Sequence, residues 1–470
     1  MLRYKCQTGT ICHKLDCREA IIFSLDLESP MRYNDTMDKN NTIFKKHKKT
    51  LRPSVVYLVA AVLLPVIIFG SFNRYVASER LSERERVAFL NSFTREDFIY
   101  DVNYMLMMLD ENFPSFQLIY SRNGVDMHEK GRNIREYIEN TNNQIDFDRF
   151  MDLLYFDYFD HAFPIGHLWI VGPEERHWHL TYTLENLDMW PDSPFLIHYA
   201  DLFSSTASQM TYPTLSLEVM EAVEASLAPD DNLTTRIIEE GRIAYLAVAS
   251  MLLNISDADR EQISQFYNDI ADFEHLIIDI RGNGGGWVDY FDILIAEPLM
   301  ESTAFVNFHH FLLDGDHNME FMRLTRQSAV PQRTVPFRFL QQYRHYTEQF
   351  GYRFNETRVA RSRGRNEFDG KIWMLIDGSV FSASQIIAET YKQVGFATLV
   401  GETTGGMVAS PMGSNFFSLP NTGIIIRYDP TFVTTRYGRP LEYGTDPHHF
   451  NRPGMDALET TLALIAEGSY

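Results

Sequence analysis

The sequence predicts an α/β protein: a largely parallel sheet buried by helices, preceded by a helical region and one apolar membrane segment. Three observations carry this. From Arg242 onward, short apolar runs alternate with helical patterns. Between Thr94 and about Asn140, apolar residues recur at helical spacing with acidic faces between them. Residues 53–72, PSVVYLVAAVLLPVIIFGSF, hold no charge.

That apolar run of 20 residues is long enough to cross the hydrocarbon core of a bilayer as a helix. Residues 1–52 carry 11 Lys and Arg against 6 Asp and Glu, and the basic FKKHKKTLR lies directly before the run. A basic flank on that side predicts a cytoplasmic tail over 1–52. The run at 53–72 would then be a single-pass anchor in the cell membrane, with the body exported. A cleaved signal peptide is the competing reading. The stretch is long for one, and Val76-Ala77-Ser78 is a poor match to a small-residue cleavage site.

The three cysteines, Cys6, Cys12 and Cys17, all lie in this tail, so the body has no disulfide or thiol chemistry. Beyond residue 72 the chain carries 31 Lys and Arg against 57 Asp and Glu. A body this acidic argues against nucleic acid as a partner, because phosphate binding needs basic patches.

Residues 73–172 read as a helical subdomain that ends in FPIGHLWIV, where Leu168 to Val171 suits a strand. Residues 173–235, with turn signals such as WPDSP and APDDN, read as a connecting region. The core is 236–470. Its strands are RIAYLAV, HLIIDI, KIWMLI and FATLVG; its helices are SDADREQISQFYNDIADF, WVDYFDILIAEPL and FSASQIIAETYKQV. Ser256 is the expected N-cap of the first helix, with Asp259 at its third position, and Gly395 ends the last. Residues 300–368 are less regular.

Two strand-to-helix turns carry the chemistry. In the first, Asp279 to Gly286 reads DIRGNGGG, and four glycines in five positions let backbone N–H groups approach a ligand closely. Such a loop serves as a phosphate cradle, as an oxyanion hole, or as a structural turn. No Lys-Ser or Lys-Thr follows to make a P-loop, and no third glycine has the dinucleotide spacing. In the second, DGSVFSASQII places three serines at a helix start. A serine there is usually an N-cap, but the same position offers the dipole and free N–H groups that suit a nucleophile.

In order along the chain, LIIDIRGNGGG, KIWMLIDGSVFSASQIIAE, TLVGETTGG and EYGTDP resemble the tail-specific (C-terminal processing) and tricorn-core serine peptidases. The resemblance implies a crotonase-like core and a serine nucleophile, which falls on Ser382. Ser379 and Ser384 then become cap or structural serines. The oxyanion donors would be the N–H groups of Gly286 and Ala383.

In the Ser–Lys branch the base is a lysine 25 residues beyond the nucleophile, and here that position is Met407. A thioether accepts no proton, so another base serves or the site is dead. The tricorn-like branch implies a histidine, which nominates His167 in FPIGHLWIV; His161 is the competitor. Leu168 stands where that branch has a hydroxyl. The same branch implies an orienting glutamate, which nominates Glu442. It lies two residues before Gly444 where the pattern has three, with Leu441 in the strict position.

Residues 173–235 are too short for the PDZ domain usual in tail-specific peptidases, so reading of substrate C-termini is not implied. No metal or organic cofactor is implied either. The expectation is a membrane-anchored, extracytoplasmic serine peptidase acting on a peptide or protein substrate. The alternative is an inactive peptide- or apolar-ligand-binding protein on the same fold. An acyl-CoA enzyme on that fold fits the acidic, exported body poorly.

Overall fold

The structure is a computed structural model. It describes residues 83–226, 232–332, 344–347, 349–364, 367–406, 411 and 413–468, and a short antiparallel pair, Tyr4–Lys5 with Ile11–Cys12. The chain divides into two units, residues 1–72 and 73–470, and the second carries everything below. The stretch 53–72, the expected anchor, lies outside the described residues. Among the described residues no helix is long and apolar enough to cross a membrane.

The central element is a six-stranded sheet. It contains β2 (Leu233–Glu239), β3 (Ile243–Val248), β4 (His275–Asp279), β8 (Lys371–Ile376), β9 (Thr398–Gly401) and β13 (His449–Phe450), numbering all strands of the second unit along the chain. The spatial order is β13-β9-β8-β4-β3-β2, parallel throughout except for the antiparallel β2–β3 pair. All five residues of β4 are buried, as a parallel strand covered on both faces requires. One face packs Leu276, Ile278 and Met374 against Phe266, Phe291 and Tyr391; the other packs Ile277, Trp373 and Val400 against Leu464 and Ile465. The expected strands and helices of 236–299 and 371–401 are present, among them α10 (Asp257–Asp269), with α11 (Asp316–Leu324) between the two stretches. Ser256 accepts from the Asp259 N–H at 3.0 Å, and WVDYFDILIAEPL forms a π-helical turn over Tyr290–Ala296.

Ahead of the sheet come five helices: α1 (Glu83–Leu90), α2 (Arg95–Asn112), α3 (Phe116–Asn123), α4 (Met127–Asn140) and α5 (Phe147–Asp157). Thr94 and Asp97 close a capping box at the start of α2. Phe98, Val102, Leu109, Phe150 and Leu154 of this layer pack on Ile426 and Tyr428 of a three-stranded antiparallel sheet. That sheet has the order β10 (Asn415–Ser418), β11 (Ile425–Tyr428), β1 (Trp169–Ile170).

The segment read as a connector, 173–235, is mostly helical: α6 (Pro173–Met189), α7 (Pro194–Phe203), α8 (Thr206–Thr211) and α9 (Leu217–Ser226) precede β2. The stretch 300–368 is not irregular. Within it β5 (Ala304–Leu312) pairs with β7 (Tyr352–Ala360) along their full length, flanked by β6 (Val330–Pro331) and by β12 (Phe432–Thr435) from farther along the chain. Polar residues on both faces hide this pair from a periodicity reading. Buried His310 on β5 bonds Glu356 on β7 at 2.9 Å, so the inward face is not uniformly apolar.

One buried carboxylate ties the helical layer to this architecture. Asp101 accepts from the N–H groups of Asn421 and Thr422, each at 2.9 Å, and from the Thr422 hydroxyl at 2.7 Å. Asp101→Ala leaves those donors unsatisfied and is expected to cost about 2–4 kcal/mol, read as a lowered denaturant midpoint of unfolding.

Candidate active site

The loops after β4, β8 and β9 all leave the C-terminal edge of the parallel sheet, where ligand sites of open α/β sheets form. After β4, Asp279 accepts from Tyr245 Oη at 2.7 Å and pairs with Arg281, whose guanidinium also reaches Asp456 at 3.0 Å. The glycine loop then turns back over the sheet. A Cβ on Gly286 would lie 2.0 Å from the Met251 carbonyl oxygen, and its φ of +125° is closed to other residues. The chain pairing here uses the Gly285 carbonyl and the Trp287 N–H, both bonded to Met251. The Gly286 N–H is thus left out of the ladder.

Asn283 joins this loop to the serine turn. Its amide nitrogen donates to the Val248 carbonyl at 2.9 Å, and its oxygen accepts from the Gly285 N–H at 3.0 Å and the Ser384 hydroxyl at 2.6 Å. Its carbonyl receives the Phe381 N–H. A Cβ on Gly285 would fall 2.8 Å from Ser382 Cβ and 2.9 Å from the Ala383 nitrogen, so only glycine lets the two turns meet.

Ser382 opens α12 (Ser382–Gln393) with φ +52°, a left-handed conformation that costs a non-glycine residue about 1–3 kcal/mol. None of the three serines caps this helix: the N-cap position is Phe381, which has no side-chain acceptor to offer. Ser384 is buried in its bond to Asn283, and the Ser379 N–H bonds Asp377 Oδ1 at 2.9 Å. The Ser382 N–H donates to the Gly406 carbonyl, and among the described residues the Ala383 N–H has no backbone acceptor.

His167 belongs to the other layer, directly before β1. Gly166 and His167 both take positive φ, +65° and +44°, which turns the imidazole inward; a Cβ on Gly166 would lie 2.6 Å from the Phe113 ring. His167 is 3% exposed, and its Nδ1–H donates to Asp429 Oδ2 at 2.6 Å. The Asp429 N–H bonds the Gly166 carbonyl at 2.7 Å. Asp429 Oδ1 accepts from the Ser414 hydroxyl, which accepts from Arg427 Nε; both bonds are 2.9 Å. Arg427 pairs with Glu175 of α6 at 2.8 Å and lies 4.7 Å over the Trp169 ring. Burial opposes the Glu175 charge, but His179, Arg427 and the Trp169 N–H outweigh it and hold the carboxyl down at about 2.

The carboxylate on His167 is therefore Asp429, not the expected Glu442. Glu442 is buried on the Ser382 side, where its main chain abuts Gly406 and its carbonyl accepts from Arg122. The sequence signal for Asp429 was slight: an Asp-Pro step ending the apolar strand that pairs with β1. His161, the competing histidine, bonds Lys130 at 2.8 Å on the helical layer. Met407 lies outside the described residues. Ser382, Ala383 and Gly286 come together; His167 makes no hydrogen bond to Ser382 among the described residues, and its Nε2 has no partner there.

Residues 242–449 match the model of Peptidase family S41. That match takes in all four motifs that carry the resemblance and covers less than half of the chain. A search of curated proteins finds no match. Among solved structures, a putative peptidase from Parabacteroides merdae is 15% identical, with a TM-score of 0.48 over 80% of this chain and 97% of that one. Mature CPAF complexed with lactacystin is 13% identical, with a TM-score of 0.47 over 76% and 94%. A photosystem II D1 C-terminal processing protease is 14% identical, with a TM-score of 0.30 over 48% and 49%.

Asn283 is the joint between the glycine loop and α12, and nothing in the sequence reading marked it. Asn283→Ala is expected to lower stability by about 2–4 kcal/mol in denaturant titration, since it orphans a carbonyl, an N–H and a hydroxyl in the interior.

Proposed function

We propose that the protein is a serine endopeptidase in which Ser382 attacks a peptide carbonyl and His167 is first base, then acid. The observation that carries this is the buried His167–Asp429 pair, which fixes the ring tautomer. With the proton on Nδ1 held by a carboxylate, Nε2 is the free acceptor that a serine nucleophile requires. Asp429 then stabilises the imidazolium formed when Ser382 gives up its proton. The N–H groups of Gly286 and Ala383 face the position of the tetrahedral oxyanion, strengthened by the N-terminus of α12. As the C–N bond breaks, the imidazolium returns its proton to the leaving amine; a water then repeats the sequence on the acyl-enzyme.

The core is read as crotonase-like, and residues 53–72 with their basic flank support a single-pass anchor that places the peptidase outside the cytoplasm. The inactive-protein reading rests on Met407 and Leu168. It is opposed by the oriented imidazole, because a fold that only binds peptides has no use for a tautomer lock.

A fluorophosphonate probe is expected to label the protein at Ser382, and Ser382→Ala to abolish the label; undiminished labelling of that variant defeats the assignment. With a cleavable peptide, Ser382→Ala and His167→Ala should each lower kcat by more than about 10³-fold, while His161→Ala leaves it near wild type. Asp429→Asn should lower kcat by about 10²–10⁴-fold and Glu442→Gln by much less. The reverse order would return the orienting role to Glu442.

A further inference from the structure

The sheet of β5, β7 and β12 has two unlike faces. Val306 and Phe308 of β5 and Val433 of β12 pack on Leu441 and on Ile386 of α12, so this face meets the helix that Ser382 opens. Residues two apart in a strand share a face, so Asn307, His309 and Phe311 lie on the other side. There Phe311 and its cross-strand partner Phe432 are covered by the Phe350 ring, with ring centres 5.8 and 5.6 Å away. Beyond those rings the face turns polar, and a cavity of about 410 Å³ opens. Among the described residues it is lined by Asn307, His309, Asn355, Arg436 and Tyr437.

Polar residues on an outer sheet face are most often a solvated surface. His309 and Thr434 break that pattern. Both are buried, they lie opposite one another in the β5–β12 register, and Thr434 Oγ1 has no hydrogen-bond partner among the described residues. The acceptors around them are already spent. Asn355 Oδ1 accepts from His309 Nδ1 at 2.6 Å, and Asn307 Oδ1 accepts from the Thr357 hydroxyl at 2.7 Å. What the two amides still offer is their NH2 groups. Arg436 lies over the Tyr437 ring at 4.5 Å and donates to its hydroxyl oxygen. Among the described residues it pairs with no carboxylate. On a chain of formal charge −21, an arginine without an acid beside two amide donors marks a place for a ligand's negative charge.

We infer that this cavity binds a carboxylate, carried by a small organic acid or by an acidic side chain of a polypeptide. The planar guanidinium fork meets a carboxylate at two points. A single arginine balances one negative charge, which suits a carboxylate better than a phosphate dianion. Asn307 and Asn355 donate from β5 and β7, and Arg436 from the turn after β12, so the charge is held between three segments. The volume lies in the range of small-molecule sites. The sheet stands between the cavity and the face packed on α12. The site is therefore distinct from that of Ser382 and holds whether or not Ser382 is a nucleophile.

The probes are glutarate, its neutral diamide, inorganic phosphate and the capped peptide acetyl-Gly-Glu-Gly-amide, each followed by titration calorimetry. The peptide is titrated into Ser382→Ala protein so that it stays intact. Glutarate should bind with a Kd of about 1 mM or below, and the diamide at least about 10-fold more weakly. Arg436→Gln should weaken glutarate by about 10- to 100-fold. Asn307→Asp, which sets a like charge in the cavity wall, should weaken it by at least about 10-fold. Both residues are exposed, so both variants should keep the wild-type Tm. Ser382→Ala and His167→Ala should leave glutarate binding unchanged. Glutarate binding that survives both wall substitutions overturns the site, as does its loss in Ser382→Ala. Phosphate binding more tightly than glutarate overturns the carboxylate assignment, and so does failure of both glutarate and the peptide to bind. If the peptide matches glutarate, the carboxylate is a polypeptide side chain; if it is at least about 10-fold weaker, the ligand is a free acid. The carboxylate site stands in both cases.

Discussion

The buried amide of Asn283 is the constraint on which the Ser382 side of the candidate site rests. It bonds the end of β3, the glycine loop and α12 at once, and each partner is a group that would otherwise be unsatisfied in the interior. Ser382 can hold its left-handed backbone because the neighbouring turn is clamped in this way, with the strain offset by bonds made elsewhere. Gly285 and Gly286 complete the constraint from the other side. Both have positive φ, and both sit where a Cβ would meet main-chain atoms.

The His167 side is built differently. His167 and Asp429 come from segments far apart in the chain, brought together because β1 pairs with β11 and the Asp429 N–H reaches back to Gly166. The helical layer presses on the same sheet through Tyr428 and Ile426, so packing places the histidine and a hydrogen-bond chain from Arg427 through Ser414 aims its partner. Glu175 anchors that chain in α6. Its carboxyl is held ionised well below neutral pH, so the charge that steadies Arg427 persists across the physiological range.

Much of this was legible in the sequence, and the exceptions have physical causes. The central strands announced themselves because strands buried on two faces are apolar without interruption, as HLIIDI and KIWMLI are. Ser382, Gly286 and Ala383 were nominated by the resemblance their motifs carry, and those motifs could be read because each strand–turn–helix unit is local in the chain. The β5–β7 pair was hidden because His310 and Glu356 satisfy each other indoors, which removes the alternation that marks a strand. The helices of 173–226 were obscured by turn-forming residues such as Trp190-Pro191-Asp192 between them. Asp429 was missed for a deeper reason: its role depends on the β1–β11 register, a long-range pairing that no local spacing records.

The division of the site between two packing layers also bears on how it assembles. The imidazole and its carboxylate lie on one sheet and its helical cover; the serine and its donors lie on the edge of another. Within each half the supporting polar groups satisfy one another, through Asn283 on one side and through Asp429, Ser414 and Arg427 on the other, while His167 Nε2 and the Gly286 and Ala383 N–H groups are left over. The spacing between the two sets is then a property of the seam between the sheets, and not of any single residue's fold.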